Sequence, residues 1–181
     1  MKKSFFSIVK SDLINHGGIS LKKKIFIFLF NKNFKLLFSY RLQYRLRPTP
    51  LRFLNVYLKY RQRIKLGCDI SVNAKIGENV RFAHAFGILI GAATIENNVT
   101  IFQQVTIGSH GVKGVEMAWP TIKEGTIIYS GAKILGKIII GKNCTIGANC
   151  VVSRDIPDNA IIVSPIAKII GYEINTNSDN Q

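Results

Sequence analysis

Few side chains in this sequence could move a proton or hold a metal. Its 181 residues include three histidines and three cysteines. His16 stands in a His16-Gly17-Gly18 turn, whereas His84 and Asp69 fall inside a repeating stretch whose spacing brings them together. Placing Ile70, Ile76 and Phe82 on the three faces of one coil puts Asp69 before the first face and His84 after the third, at one corner of consecutive coils. A carboxylate one strand spacing from an imidazole can accept its N–H, fix its tautomer and strengthen the other nitrogen as a base toward a hydroxyl. A corner histidine capped by a neighbouring acid satisfies the same spacing without catalysis. Cys68, Cys144 and Cys150 have no paired spacing, and each precedes a core position by two residues. They read as small packing residues in a reducing compartment. The sequence carries neither a metal-ligand cluster nor a phosphate-binding glycine loop.

The element that must position His84 and Asp69 is a six-residue repeat within residues 68–163. Ile70, Ile76 and Phe82 set it, and one extra residue then enters. The count resumes at Leu89, Ile95, Ile101 and Ile107, and again at Ile122, Ile128, Ile134, Ile140, Ile146 and Val152. Small or β-branched residues such as Ala74, Val80, Ala93, Val99 and Ala132 stand two places earlier. A period of six fits neither a helix nor an alternating strand. It fits short strands joined by corners, three to a triangular coil, with coils stacked about 4.8 Å apart. A sandwich would turn every 8 to 12 residues or so. One coil cannot bury its own inner face, so stability comes from stacking about five of them.

Residues 1–66 read as a basic α-helical region. A helix over Phe5–Asn15 ends at the glycine turn. Residues 21–46 follow, with Phe26, Leu29, Phe30, Phe34, Leu37, Phe38 and Leu42 on one side and an interruption at residues 31–33. Pro48-Thr49-Pro50 forces a break, and residues 51–64 make another helix with Leu54, Tyr57, Leu58 and Arg61 at helical spacing. The net charge of +15 is concentrated here: residues 21–65 hold thirteen Lys and Arg and no acid. Such a segment can pack on the coil with its cations solvated, lie on an anionic membrane surface, or hold nucleic-acid phosphates. No nucleic-acid motif accompanies the charge, so nucleic acid is not expected. The start of the chain lacks a signal-peptide pattern, and the longest apolar run, residues 25–30, is far below the ~20 residues that span a bilayer. The expected location is the cytoplasm, peripheral on the inner face of the membrane if the basic helices bind lipid. Residues 67–170 form the coil domain, broken by a loop over 108–121 that carries His110, Glu116 and Trp119, and residues 171–181 form a polar tail.

The runs Cys68-Asp69-Ile70-Ser71, Ala74-Lys75-Ile76-Gly77 and Phe82-Ala83-His84, with Gly131-Ala132-Lys133-Ile134-Leu135-Gly136 and Ile146-Gly147-Ala148, resemble hexapeptide-repeat acyltransferases. The similarity is to serine acetyltransferases and the related capsule and colanic acid O-acetyltransferases. It implies a mainly β fold, a left-handed parallel β-helix with an N-terminal α-helical extension. The hand comes from the resemblance alone, since parallel crossovers are usually right-handed. It also implies Asp69 and His84 as the catalytic pair and direct transfer from acetyl-CoA without a metal or an acetyl-enzyme. Coenzyme A would lie between subunits of a homotrimer, at Ser130, Gly131, Ala148 and Lys168. Ala83 and Ala118-Trp119 stand where the serine enzymes have an aspartate and an Arg-His pair, and the basic leader resembles the polysaccharide branch. The expected acceptor is therefore a sugar hydroxyl of a surface polysaccharide or its precursor. Trp119 would stack on the pyranose and His110 or Glu116 would bind its hydroxyls, unless Trp119 simply packs the loop on the coil. The alternatives are a serine O-acetyltransferase of cysteine biosynthesis and a non-catalytic β-helix that binds or assembles.

Overall fold

The computed structural model describes residues 4–111, 117–165 and 170. Helices α1 (Phe5–Asn15), α2 (Leu21–Phe30), α3 (Lys32–Leu46) and α4 (Leu54–Leu66) come first, with a 3-10 turn over Pro50–Phe53 before α4. Short strands then return in threes. One face stacks β1 (Asp69–Ile70), β4 (Leu89–Ile90), β7 (Thr106–Gly108), β10 (Lys133–Leu135) and β13 (Val151–Val152). The second stacks β2 (Lys75–Ile76), β5 (Thr94–Ile95), β8 (Thr121–Ile122) and β11 (Ile139–Ile140). The third stacks β3 (Arg81–Phe82), β6 (Thr100–Ile101), β9 (Ile127–Ile128), β12 (Thr145–Ile146) and β14 (Ile161–Ile162). Every pairing is parallel and, apart from β12 with β14, joins a strand to the one three places on, which makes a triangular parallel β-helix.

The inner columns are the repeat itself: Ile76, Ile95, Ile122 and Ile140 on one face, and Phe82, Ile101, Ile128 and Ile146 on another, all buried. Each such side chain contributes roughly 1.5–3 kcal/mol on burial. The three cysteines are free and buried beside these columns. One register differs from the sequence expectation. Leu89 is 47% exposed, and Ile90 points inward, paired with Ile70 and Ile107. Two extra residues enter around His84 and one is given back after Ile90. Ile88 is also buried, so plain strand alternation turns Leu89 outward.

The helices close the open end of the coil. An unpaired strand edge would leave peptide groups exposed. Gln62 Oε1 accepts from Ile70 N at 3.0 Å, Tyr40 Oη accepts from Ile76 N at 3.3 Å and donates to Ala74 O at 2.7 Å. Arg41 donates to Ile76 O and Gly77 O, both at 2.6 Å, and its Nε to Asp12 Oδ2 at 3.1 Å. Burial pushes the Asp12 carboxyl above the usual range even against the Arg41 charge. Gly67, at φ 62°, ends α4 and turns the chain into β1. The outward faces differ from the expected ones. Phe26, Leu29 and Phe30 of α2 are exposed while Phe34 and Leu37 of α3 are buried. On α4 the inward residue is Gln62, and Leu54 and Tyr57 lie outside. The helix turns its polar capping side chain, not its rings, toward the coil edge.

Candidate active site

His84 sits at the corner between the third and first faces, flanked by the buried Ala83 and Ala85 and itself exposed. Its backbone is left-handed, φ 53°, a region that costs most residues energy but that histidine enters more readily than most. The corner is held from below: Ala85 N donates to Asn33 Oδ1 at 2.7 Å and Gly87 N to Gly67 O at 2.8 Å. His84 thus opens on a crevice of about 600 Å³ lined by Asn31, Lys32, Asn33, Lys65, Gly67 and Phe86, among others. A larger groove of about 1550 Å³ lies away from it, between α1, α3 and strands β2 and β5.

Among the described residues the Asp69 side chain bonds helix α4, and no hydrogen bond joins it to His84. Asp69 is close in the stack, since Asp69 N bonds Ile88 O at 2.8 Å, but its carboxylate is occupied. Lys59 Nζ lies 2.5 Å from Oδ1, and Arg63 approaches Oδ2 through Nη2 at 2.6 Å and Nε at 2.8 Å. The cause is tertiary: α4 packs on β1 and delivers both cations. Burial alone would raise the Asp69 carboxyl, but these hydrogen bonds and charges outweigh it and hold it below the usual carboxylate range. The imidazole of His84 makes no hydrogen bond among the described residues. Its ring neighbour is Phe102, at 6.4 Å between centroids.

The edge that begins at His84 continues along the coil. Phe102 stacks on Tyr129 at 5.0 Å and 22°. Backbone bonds tie the successive corners: Gln104 N to Phe86 O, Gly131 N to Gln103 O, and Asn149 N to Ser130 O. Ser130, Gly131 and Ala148, expected beside a coenzyme, therefore lie on the same edge as His84. Gly131 has φ 73°, and a Cβ there would strike the Asn149 side-chain oxygen. Gln103, on this edge too, has a buried Oε1 without a donor. Phe102, Gln103 and Asn33 were not singled out in the sequence, where Tyr129 was marked only as part of a Tyr129-Ser130 pair standing where relatives commonly have Gly-Ala; the offset after Phe82 and Ile101 could have marked Phe102 and Gln103.

His110 and Trp119 occupy a different edge, between the first and second faces. Trp119 lies against Gly91 and the His110 ring rests against Gly136, with Trp119 half-buried and His110 exposed. The reading in which Trp119 packs the loop on the coil is the one observed. Glu116 and Lys168 lie outside the described residues. Among the described residues no group of three or more His, Cys, Asp or Glu could hold a metal ion.

Comparison with known proteins adds three findings. The family described as bacterial transferase hexapeptide (six repeats) matches residues 120–154. The serine acetyltransferase of Buchnera aphidicola is 39% identical over 143 residues, which is 78% of this chain and 52% of that protein. The chain thus spans about half the length of the curated relatives it matches. Among solved structures, soybean serine acetyltransferase superposes with a TM-score of 0.79 at 32% identity, covering 92% of this chain and 69% of the other. The Brucella abortus serine acetyltransferase in complex with coenzyme A gives 0.79 at 29% identity, over 92% and 68%. With parallel faces, hexapeptide repeats and these neighbours, the coil is a left-handed parallel β-helix. The matches favour serine enzymes over the polysaccharide branch.

Proposed function

The chain belongs to the hexapeptide-repeat acyltransferases, with serine acetyltransferases as its relatives, and from this we propose that it transfers an acetyl group from acetyl-CoA to a hydroxyl. The observation that carries the reading is the one edge shared by His84, the Phe102–Tyr129 stack and the small residues Ser130, Gly131 and Ala148. His84 takes the acceptor's hydroxyl proton as that oxygen attacks the thioester carbonyl, and returns it to the departing thiolate. Peptide N–H groups at the edge stabilise the oxyanion. The pantetheine chain follows the edge. Lys168 is the candidate partner for a phosphate.

Serine is the acceptor this reading favours, because the curated relatives and structural neighbours compared are serine acetyltransferases. A sugar hydroxyl is the second reading, favoured by one observation. The crevice at His84 presents Lys32 and Lys65, Ala83 beside it is buried and apolar, and the Asp69 carboxylate is already paired. A serine ammonium needs a carboxylate to replace its water. A homotrimer fits both readings: one chain keeps the loop of His110 and Trp119 on a different edge from His84, and a neighbouring copy can bring the two edges together. The test is acetyl-CoA turnover with L-serine, nucleotide sugars and oligosaccharides in parallel. Serine turnover well above the best saccharide supports the first reading, the reverse order the second, and no thioester cleavage with any hydroxyl defeats both.

A further inference from the structure

The helices at the foot of the coil expose more apolar surface than an ordinary solvated face. Phe53, which ends the 3-10 turn, and Val56, Tyr57, Tyr60 and Ile64 of α4 fall at helical spacing on the side opposite Gln62, and Val56 is 78% exposed. On α2, Ile25, Phe26, Leu29 and Phe30 are exposed while Ile27 is buried, with Phe26 63% exposed. Four α4 stripe positions continued by Phe53, without a covering element among the described residues, are far from the scattered single apolar residues that need no explanation. No helix among the described residues is long and apolar enough to cross a membrane.

Charge decides what covers these faces. Arg52, Arg61 and Lys65 flank the α4 stripe, Lys22 and Lys23 are exposed on α2, and residues 21–65 contain no acid at all. None of these five cations forms an ion pair among the described residues. A second copy of the same face would set cations against cations. We propose that the outer faces of α2 and α4 dock on an anionic lipid bilayer, with the rings at the depth of the headgroups and the cations on lipid phosphates. The two helices converge on the crevice that holds His84, which is lined by residues 31–33 after α2 and by the last turn of α4. Docking therefore brings this crevice toward the lipid surface. The inference stands on exposure and charge and does not depend on the acetyl-transfer reading.

Flotation of the full chain with vesicles of phosphatidylcholine alone and of phosphatidylcholine with 30% or so phosphatidylglycerol tests it. Binding is expected only to the anionic vesicles, falling at least about tenfold as salt rises and the screening length drops from about 10 Å at 0.1 M to about 3 Å at 1 M. Lys22→Glu with Lys23→Glu, and separately Val56→Ser with Tyr60→Ser, are each expected to cut binding about tenfold or more while circular dichroism and the sedimentation coefficient stay as in the parent. Equal binding to both vesicles, or none to either, overturns the proposal. So does a Val56→Ser, Tyr60→Ser protein that sediments as a smaller species, because that face then joins copies of the chain.

Discussion

Asp69 accepts a 2.8 Å hydrogen bond from Arg63 Nε and carries Lys59 on its other oxygen. The pair fastens the end of α4 to the first strand of the coil, beside the crevice of His84.

Because the Asp69 carboxyl is held below its ordinary value of 3.8, its contribution to stability is complete well above that value and is lost as pH falls through the folded value. Arg63 is half-exposed, so the amount is small, roughly 1 kcal/mol at most. The difference in stability between the parent protein and Asp69→Asn, measured by urea unfolding, should be constant from pH 7 to about 5 and shrink as the pH falls further. A difference that grows on acidification contradicts this assignment. Acetyl transfer by Asp69→Asn should fall less than that by His84→Ala.

Arg41 and Asp12 form a buried pair that ties α1 and α3 to β2. Arg41→Leu leaves a buried carboxylate without its partner and should cost about 3–5 kcal/mol. Adding Asp12→Leu should recover much of that, since the remaining penalty is two peptide carbonyls that have lost a donor. Urea midpoints of the single and double variants measure the coupling, and additive losses would mean that the pair does not act as a unit.

Gly131→Ala puts a Cβ into the Asn149 side chain at a left-handed backbone position. The expected cost is about 1–3 kcal/mol of stability. Coenzyme A affinity should fall with it if the edge binds that ligand. Retained stability with retained affinity would remove Gly131 from the candidate site.

The β-helix was legible because isoleucine returns at one fixed spacing, and three such steps close a triangle. The corner of His84 was legible for the same reason. Leu89 was misread because it and Ile90 are both large and apolar, and only the neighbouring Ile88 decides which turns inward. The partner of Asp69 could not be read, since it depends on how α4 lies against β1, and no local pattern encodes that. Trp119 on Gly91 is likewise a contact between a loop and a corner far from it in sequence. The outward stripe of α4 was hidden by its chemistry. Hydrophobic spacing marks a face, but here the inward face is chosen by Gln62, which satisfies the Ile70 peptide N–H.

The central claim is that His84 is the base of an acetyl transfer carried out along the edge it shares with Phe102 and Tyr129. His84→Ala tests it most directly, by the rate of acetyl-CoA cleavage with the best hydroxyl acceptor, with coenzyme A affinity measured separately by calorimetry. A loss of about 10² to 10⁴ in turnover, with affinity and thermal midpoint nearly those of the parent, is the predicted result. Turnover equal to the parent's would contradict it.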